Sequence, residues 1–301
     1  MLKNNIIPLT ISLAISCIFS FLCNTSEVWM ALLPFIITVT YAVSSSVCEK
    51  EYSAISGALA VFASHFICSN ALVMYLIIVS AVAGIVIGQM IKKDMSVMSL
   101  TIASAVGVAT LYSLYLMVVS RVNGYGSLSE LLDGISSIMV STMSMTGEEG
   151  TQMAKIAVRT FRDLFPAIVM ISSVTAGYVM VFVSGLIMTL FRIGAKKEIG
   201  FSLFRADRIT TMIFLLSMAV TIFAGYGIAG IIAENIYIIL LYVLQVCGLS
   251  LLDWVLKNVK RVSLVLRIII LFFVSIIPIS SFILVMAAIL DARRNFRGLS
   301  E

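Results

Sequence analysis

The sequence predicts an all-α integral membrane protein of about eight to nine transmembrane helices, the first six forming one bundle, with an amphipathic helical insert between the fifth and sixth. Three observations carry this. Hydrophobic residues make up 61% and charged residues 12% of 301 residues, with a mean hydropathy of +1.12, too little polar surface to coat a water-soluble globule. Apolar runs of roughly 20 residues, the length a helix needs to span a hydrocarbon core of about 30 Å, recur along the chain, and the alternating strands of a barrel do not. The lysines and arginines gather in the short loops between those runs, where cations orient spans.

The first run, residues 6–23, follows Lys3 and carries Ser12, Ser16 and Ser20 at every fourth position, one helix face of small residues that lets another helix approach closely. Its charge order resembles a secretion signal. Leu22 before Cys23 does not fit a lipoprotein site, however, and no Ala-x-Ala follows, so it reads as a retained first span. The second run, 27–43, holds Pro34, which removes a backbone donor and kinks a helix. After the polar loop 44–53 come runs at 54–69 and 71–91, with Asn70 at the turn, and Lys92 and Lys93 close the fourth. The fifth run, 97–119, is rich in Ala and Gly.

From residue 120 to 165 the pattern changes. Leu128, Leu131, Leu132, Ile135, Ile138, Met139 and Met143 recur at three and four, an amphipathic helix, with Ser127 and Glu130 as a capping box. Gly147 and Gly150 break it, and Thr146 with Glu149 starts a second short helix striped by Met153, Ile156, Ala157, Phe161 and Leu164. The expected arrangement is a hairpin of two short helices at the membrane interface. A long apolar stretch from Pro166 to Arg192 then forms the sixth span.

The chain thus divides into a six-helix membrane bundle at 1–192, containing the insert at 120–165, and a second part at 193–301. The second part opens on a basic loop with Arg192, Lys196, Lys197, Arg205 and Arg208 at its edges and interior. Two runs follow, 209–233 and 236–256, separated by a turn at Glu234 and Asn235. A last run, 268–290, is interrupted at Pro278 and ends in the tail DARRNFRGLSE.

With nine crossings and the N-terminus inside, thirteen of the 20 Lys and Arg fall on the inner side, so the N-terminus is expected on the cytoplasmic side of a cell membrane. Arg293, Arg294 and Arg297 then fall on the outer side, against the rule. A re-entrant turn at Pro278, or a failure of the short third run to cross, removes the conflict.

The net charge of +5 resides in those loops and points to lipid headgroups rather than nucleic acid. Five scattered cysteines, Cys17, Cys23, Cys48, Cys68 and Cys247, make neither a disulfide framework nor a zinc site. No phosphate loop, HExxH or nucleophile elbow is present, so neither catalysis nor a cofactor is expected. Ionisable and amide groups at membrane depth are functional candidates by default. They are His65, the only histidine, Gln245 within the eighth run, and Asp253, which sits i, i+4 from Lys257.

Five spans rich in small residues, the amphipathic insert, LFPAIVMISSVTAGYVMVFVSGLIMTLFR, a basic loop, further spans and a terminal ILDARRNFR together resemble the YybS-like family of uncharacterised bacterial multi-pass membrane proteins. That family is distantly similar to the S components of energy-coupling-factor transporters, whose six-helix fold binds a small solute from outside. The resemblance implies a solute site in the outer half built from His65, Asn70, Asn123, Tyr125 and residues of the insert, with Gln245 as a further contact. It also implies docking of Ser12, Ser16 and Ser20 on a transmembrane energy-coupling module, although serines stand where alanines are usual. Two functions follow: small-solute binding and transport, or a membrane scaffold or regulator that holds partner membrane proteins.

Overall fold

The apolar runs fold as helices because in lipid a backbone can satisfy its own hydrogen bonds only within a helix or a closed barrel. A computed structural model of the chain describes residues 2–68, 70–122, 124–144, 148–191, 200–224 and 227–298, and all regular structure among them is helical. In order these are α1 (Leu2–Cys23), α2 (Glu27–Val47), α3 (Lys50–Ile67), α4 (Ala71–Lys92), α5 (Val97–Val122), α6 (Leu128–Ser144) and α7 (Glu148–Leu190). A 3-10 turn at Phe201–Leu203 precedes α8 (Arg208–Ala224), α9 (Ile228–Trp254), which runs into a π-helical turn at Val255–Val259, α10 (Leu264–Ile276) and α11 (Pro278–Arg294). Asn123, the Thr146 and Gly147 break, and Arg192, Lys196 and Lys197 of the basic loop lie outside the described residues.

Polar residues start these helices by accepting the backbone N–H groups that a first turn leaves unpaired. Ser26 accepts from Val28 N at 3.3 Å, Asn70 from Leu72 N at 2.9 Å and Asp207 from Thr210 N at 2.7 Å. At α6 the expected box forms in modified shape: Ser127 Oγ accepts from Glu130 N at 3.3 Å, while the Glu130 carboxylate reaches back to Gly126 N at 2.6 Å.

The chain packs as two compact units, each discontinuous in sequence: Met1–Leu111 with Ser173–Gly200, and Tyr112–Ser172 with Phe201–Glu301. The first unit is α1 to α4, the start of α5 and the end of α7, and side-chain bonds give the direction of each helix. Ser12 bonds Ser44 at the opposite end of α2, so α1 and α2 are antiparallel. Ser56 bonds Leu9 O at 3.2 Å and Ser20 bonds Ser64 at 2.7 Å, so α3 runs parallel to α1. Thr38 reaches Ser80 O at 3.2 Å and Ser45 reaches Ile85 O at 2.8 Å, so α4 runs parallel to α2. Ser46 bonds Met188 Sδ at 3.7 Å while Phe35 and Val39 pack with Ala176 and Met180, which aligns this part of α7 with α2. Leu100 clusters with Met188, and Ser104 reaches Met180 Sδ at 3.9 Å, which sets α5 against α7. Six segments therefore alternate in direction.

The second unit is built on α9. Phe214 of α8 stacks on Tyr237 at 5.4 Å between ring centroids, and α11 crosses so close at Gly248 that an added Cβ would stand 2.8 Å from Leu284 Cα. The α10–α11 pair is bent by 108° at Ile277, whose extended backbone is what a residue before proline prefers. Both ends of the pair return to one turn of α9. Arg267 in the first turn of α10 bonds Asp253 at 3.0 Å, and Arg297, just past α11, bonds Ser250 at 2.8 Å.

Four expectations change. Six described helices are long and apolar enough to cross a membrane, or up to seven if the bent pair counts as one, against the eight or nine expected. The charged start of α3 and the 17-residue length of α8 keep those two out. The insert's second helix does not stop at Pro166 but continues into the sixth span, giving one helix of 43 residues. The break expected at Glu234 and Asn235 lies before Ile228, and Asn235 is inside α9. The tail arginines, expected on the opposite side from the basic segment if every run crosses, lie beside residues 201–208, where the bent α10–α11 pair returns.

Candidate functional site: polar junctions inside the second unit

Asn295 ends α11 in the left-handed conformation, φ 48° and ψ 55°, and its N–H returns to Asp291 O at 2.8 Å. Asn tolerates that backbone better than most residues, and the cap turns the chain back on itself. Arg297 is thereby driven into the unit with its side chain fully buried. It donates through Nε and Nη2 to Asp291 Oδ2 at 3.0 and 2.8 Å, through Nη1 to Ser202 O at 2.7 Å and Ser250 Oγ at 2.8 Å, and through Nη2 to Phe204 O at 3.1 Å. A planar fork of five N–H groups suits such a set of acceptors, which a lysine could not match. Arg205 approaches the same carboxylate at 3.8 Å and donates to Ala292 O at 3.2 Å. A buried carboxylate between two guanidinium groups is costly to desolvate and is held by these bonds. The result is one knot joining the 3-10 turn, α9, α11 and the tail.

A second junction repairs a helix. Pro166 has no N–H, so the ladder of α7 is interrupted there. One residue on, Ala167 N donates to Asn235 Oδ1 at 2.9 Å, while Asn235 Nδ2 donates to Asp163 O at 2.8 Å. The amide of α9 thus bridges two backbone groups of α7 beside the interruption. Replacing Asn235 with alanine strands a buried donor and acceptor, and is expected to cost about 1–3 kcal/mol. Amide hydrogen exchange at Ala167 should accelerate together with a fall in thermal midpoint in detergent; an unchanged exchange rate would mean that α7 closes its own ladder.

The residues singled out from the sequence have mostly local roles. Ser12, Ser16 and Ser20 are completely buried and bond to Ser44, to the preceding turn of α1 and to Ser64, so α2 and α3 occupy their face. His65 is exposed, edge-on to Phe66 with centroids 5.6 Å apart, and Asn70 caps α4. Tyr125 places its hydroxyl over Gly134, and Gln245 is half-buried on α9. His65 and Asn70 belong to the first unit, Tyr125 and Gln245 to the second. An apolar groove of about 390 Å³ over α3 and α4, lined by residues such as Gly57, Val61, Ala81 and Val82, includes none of them. Asp253 pairs with Arg267 on the next helix.

Asn235, Arg297 and Asp291 are the functional candidates that sequence reasoning passed over. No local signal marks Asn235, whose partners on α7 lie 68 and 72 residues away, whereas Arg297 stands two residues past Asn295.

A family model described as "Predicted membrane protein (DUF2232)" matches residues 10–292 of the chain. No curated protein and no solved structure matches it.

Proposed function

We propose a scaffold role for this chain, which belongs to the DUF2232 family of predicted membrane proteins: it holds partner membrane proteins through helical surfaces and passes no solute. The observation that carries the reading is α7. Its 43 residues extend about 65 Å, roughly twice a hydrocarbon core. The half after Pro166 is apolar enough to cross, and the half before it, with Lys155, Arg159, Arg162 and Asp163, extends beyond the core. Arg162 there bonds Asp133 at 2.9 Å and Ser129 at 2.8 Å, clamping α6 alongside. The hairpin leaves Met153 and Ile156 71% and 68% exposed, with Lys155 and Arg159 along one side of them. Apolar side chains beside cations on a helix fit a partner helix whose apolar stripe is flanked by acidic residues. Ser12, Ser20, Thr38, Ser45 and Asn235 use their polar groups in bonds between helices of their own unit, which supports this reading.

The test is a photo-activated cross-linker placed at Met153 or Ile156 in native membranes, with Phe223, 86% exposed on α8, as the lipid-facing control. Discrete protein adducts at 153 and 156, and lipid adducts alone at 223, are expected. Lipid adducts alone at all three positions, with a small molecule retained by the purified protein in native mass spectrometry, would return the argument to solute binding of the S-component kind.

A further inference from the structure

The return of the α10–α11 pair adds its cations to those already at one end of α9. Bonds already described tie this end together: Arg297 to Ser202 and Ser250, Arg205 to Ala292, and Arg267 to Asp253. Its buried charges are compensated internally, three arginines against Asp253 and Asp291. Around them stand six exposed cations, Arg208, Lys257, Lys260, Arg261, Arg293 and Arg294. Among the described residues of these segments one carboxylate is exposed with them, Asp207, and its Oδ1 is held by Thr210 N at 2.7 Å. The exposed rim thus carries as much net positive charge as the formal +5 of the whole chain.

Next to the rim is an apolar surface. The helix α10 begins three residues after Arg261 and has no buried residue, with Val265, Ile268, Phe272 and Phe273 all exposed. Trp254 closes α9 at the same level, where an indole sits well at a membrane–water boundary. Cations beside a half-immersed apolar helix match the two parts of one molecule, an acidic headgroup and its acyl chains.

We propose that the α9 end of the second unit is a binding surface for anionic phospholipid, with the six exposed cations holding headgroups and α10 lying among the chains. Opposite charge attracts acidic lipid to this end, and by the positive-inside rule this is the cytoplasmic face. The tail is part of the surface because the re-entrant pair brings Arg293 and Arg294 back to the rim. This surface is distinct from the α6–α7 hairpin, so it stands or falls apart from the scaffold reading.

Trp29→Phe leaves Trp254 as the single tryptophan of two, a reporter at the rim. The full chain is placed in nanodiscs containing equal fractions of zwitterionic and phosphatidylglycerol lipid, with bromine on the chains of one or the other, and Trp254 quenching is compared. Each rim cation is worth about a fivefold preference for an acidic surface at low salt. Quenching by brominated phosphatidylglycerol should therefore exceed that by brominated phosphatidylcholine at least about twofold, and the excess should vanish in roughly 0.5 M salt. The double substitution Arg293→Gln and Arg294→Gln should cut the excess, and Arg293→Lys with Arg294→Lys should keep it. Equal quenching by the two lipids overturns the proposal, as does an excess that the glutamine pair leaves untouched in a protein that elutes and unfolds like its parent.

Discussion

Asp291→Ala is expected to remove about 3–5 kcal/mol of stability, because it leaves buried cations without their counter-charge. Arg297 would keep Ser202 O, Phe204 O and Ser250 Oγ as neutral acceptors and lose two charge-assisted bonds of 3.0 and 2.8 Å. Arg205 would lose the carboxylate at 3.8 Å. Arg297→Ala should cost about as much for the converse reason, since Asp291 is then the uncompensated charge. Changing both residues together, Asp291→Leu with Arg297→Met, should cost less than the sum, since it deletes the need for compensation along with the bond. The stabilities would be compared by unfolding in detergent. A second reading is protease access to the tail, which Arg297 holds against the 3-10 turn, so both alanine variants should be clipped after α11 faster than the parent. A loss below about 1 kcal/mol for Asp291→Ala would mean that water reaches this knot and solvates the charges in place of the bonds.

The parts of this fold that read from the sequence are those governed by neighbours in the chain. The i, i+4 spacing of Ser12, Ser16 and Ser20 marked a close-packed face, and Ser127 with Glu130 marked the start of α6. What the serines pack against was not legible, because the hydroxyls of Ser44 and Ser64 are 32 and 44 residues away from their partners. Pro166 reads locally as a stop, and a proline inside a helix is one unless something else supports the weakened turn. That something is Asn235, 68 residues on from Ala167. The same residue looked like a turn because an amide between apolar runs is usually exposed; its buried role exists only opposite a broken ladder. Charge counting failed at the tail for a related reason. It assumes that each apolar run crosses, whereas Arg267 with Asp253 and Arg297 with Ser250 bring the last run back to where it began. The solute-site residues were chosen by type and depth, and no local rule says whether such groups converge. Asn70 is committed to a cap.

Gly84 and Gly88 set the closest approach in the first unit, and substituting either with leucine should be as damaging as breaking the ion pair. They are spaced four apart on α4, the small-xxx-small pattern by which helices in lipid, lacking a hydrophobic drive to associate, bring backbones together. A Cβ at Gly84 would stand 2.5 Å from Thr38 O and 2.7 Å from Tyr41 Cβ, and one at Gly88 would stand 2.9 Å from Ser46 N. These neighbours are mainly the backbone of α2, which cannot swing aside as a flexible side chain can. A larger residue must therefore push α4 off α2. That separation would also break the register bonds from Ser45 to Ile85 O at 2.8 Å and from Gln89 to Ser45 O at 2.7 Å. Overpacking alone costs about 1–3 kcal/mol, and the lost interhelical bonds add to it. Gly57 on α3 supplies the contrast. A Cβ there would meet Ala81 Cβ at 3.6 Å and Tyr41 Cε1 at 3.8 Å, ordinary contact distances, and alanine is the better helix former by about 0.5–1 kcal/mol. Thermal unfolding in detergent should rank Gly57→Ala at or above the parent, with Gly84→Leu and Gly88→Leu far below it or unable to accumulate. If the leucine variants melt with the parent, α2 and α4 do not meet backbone to backbone, and the packing of the first unit has to be redrawn around its serines instead.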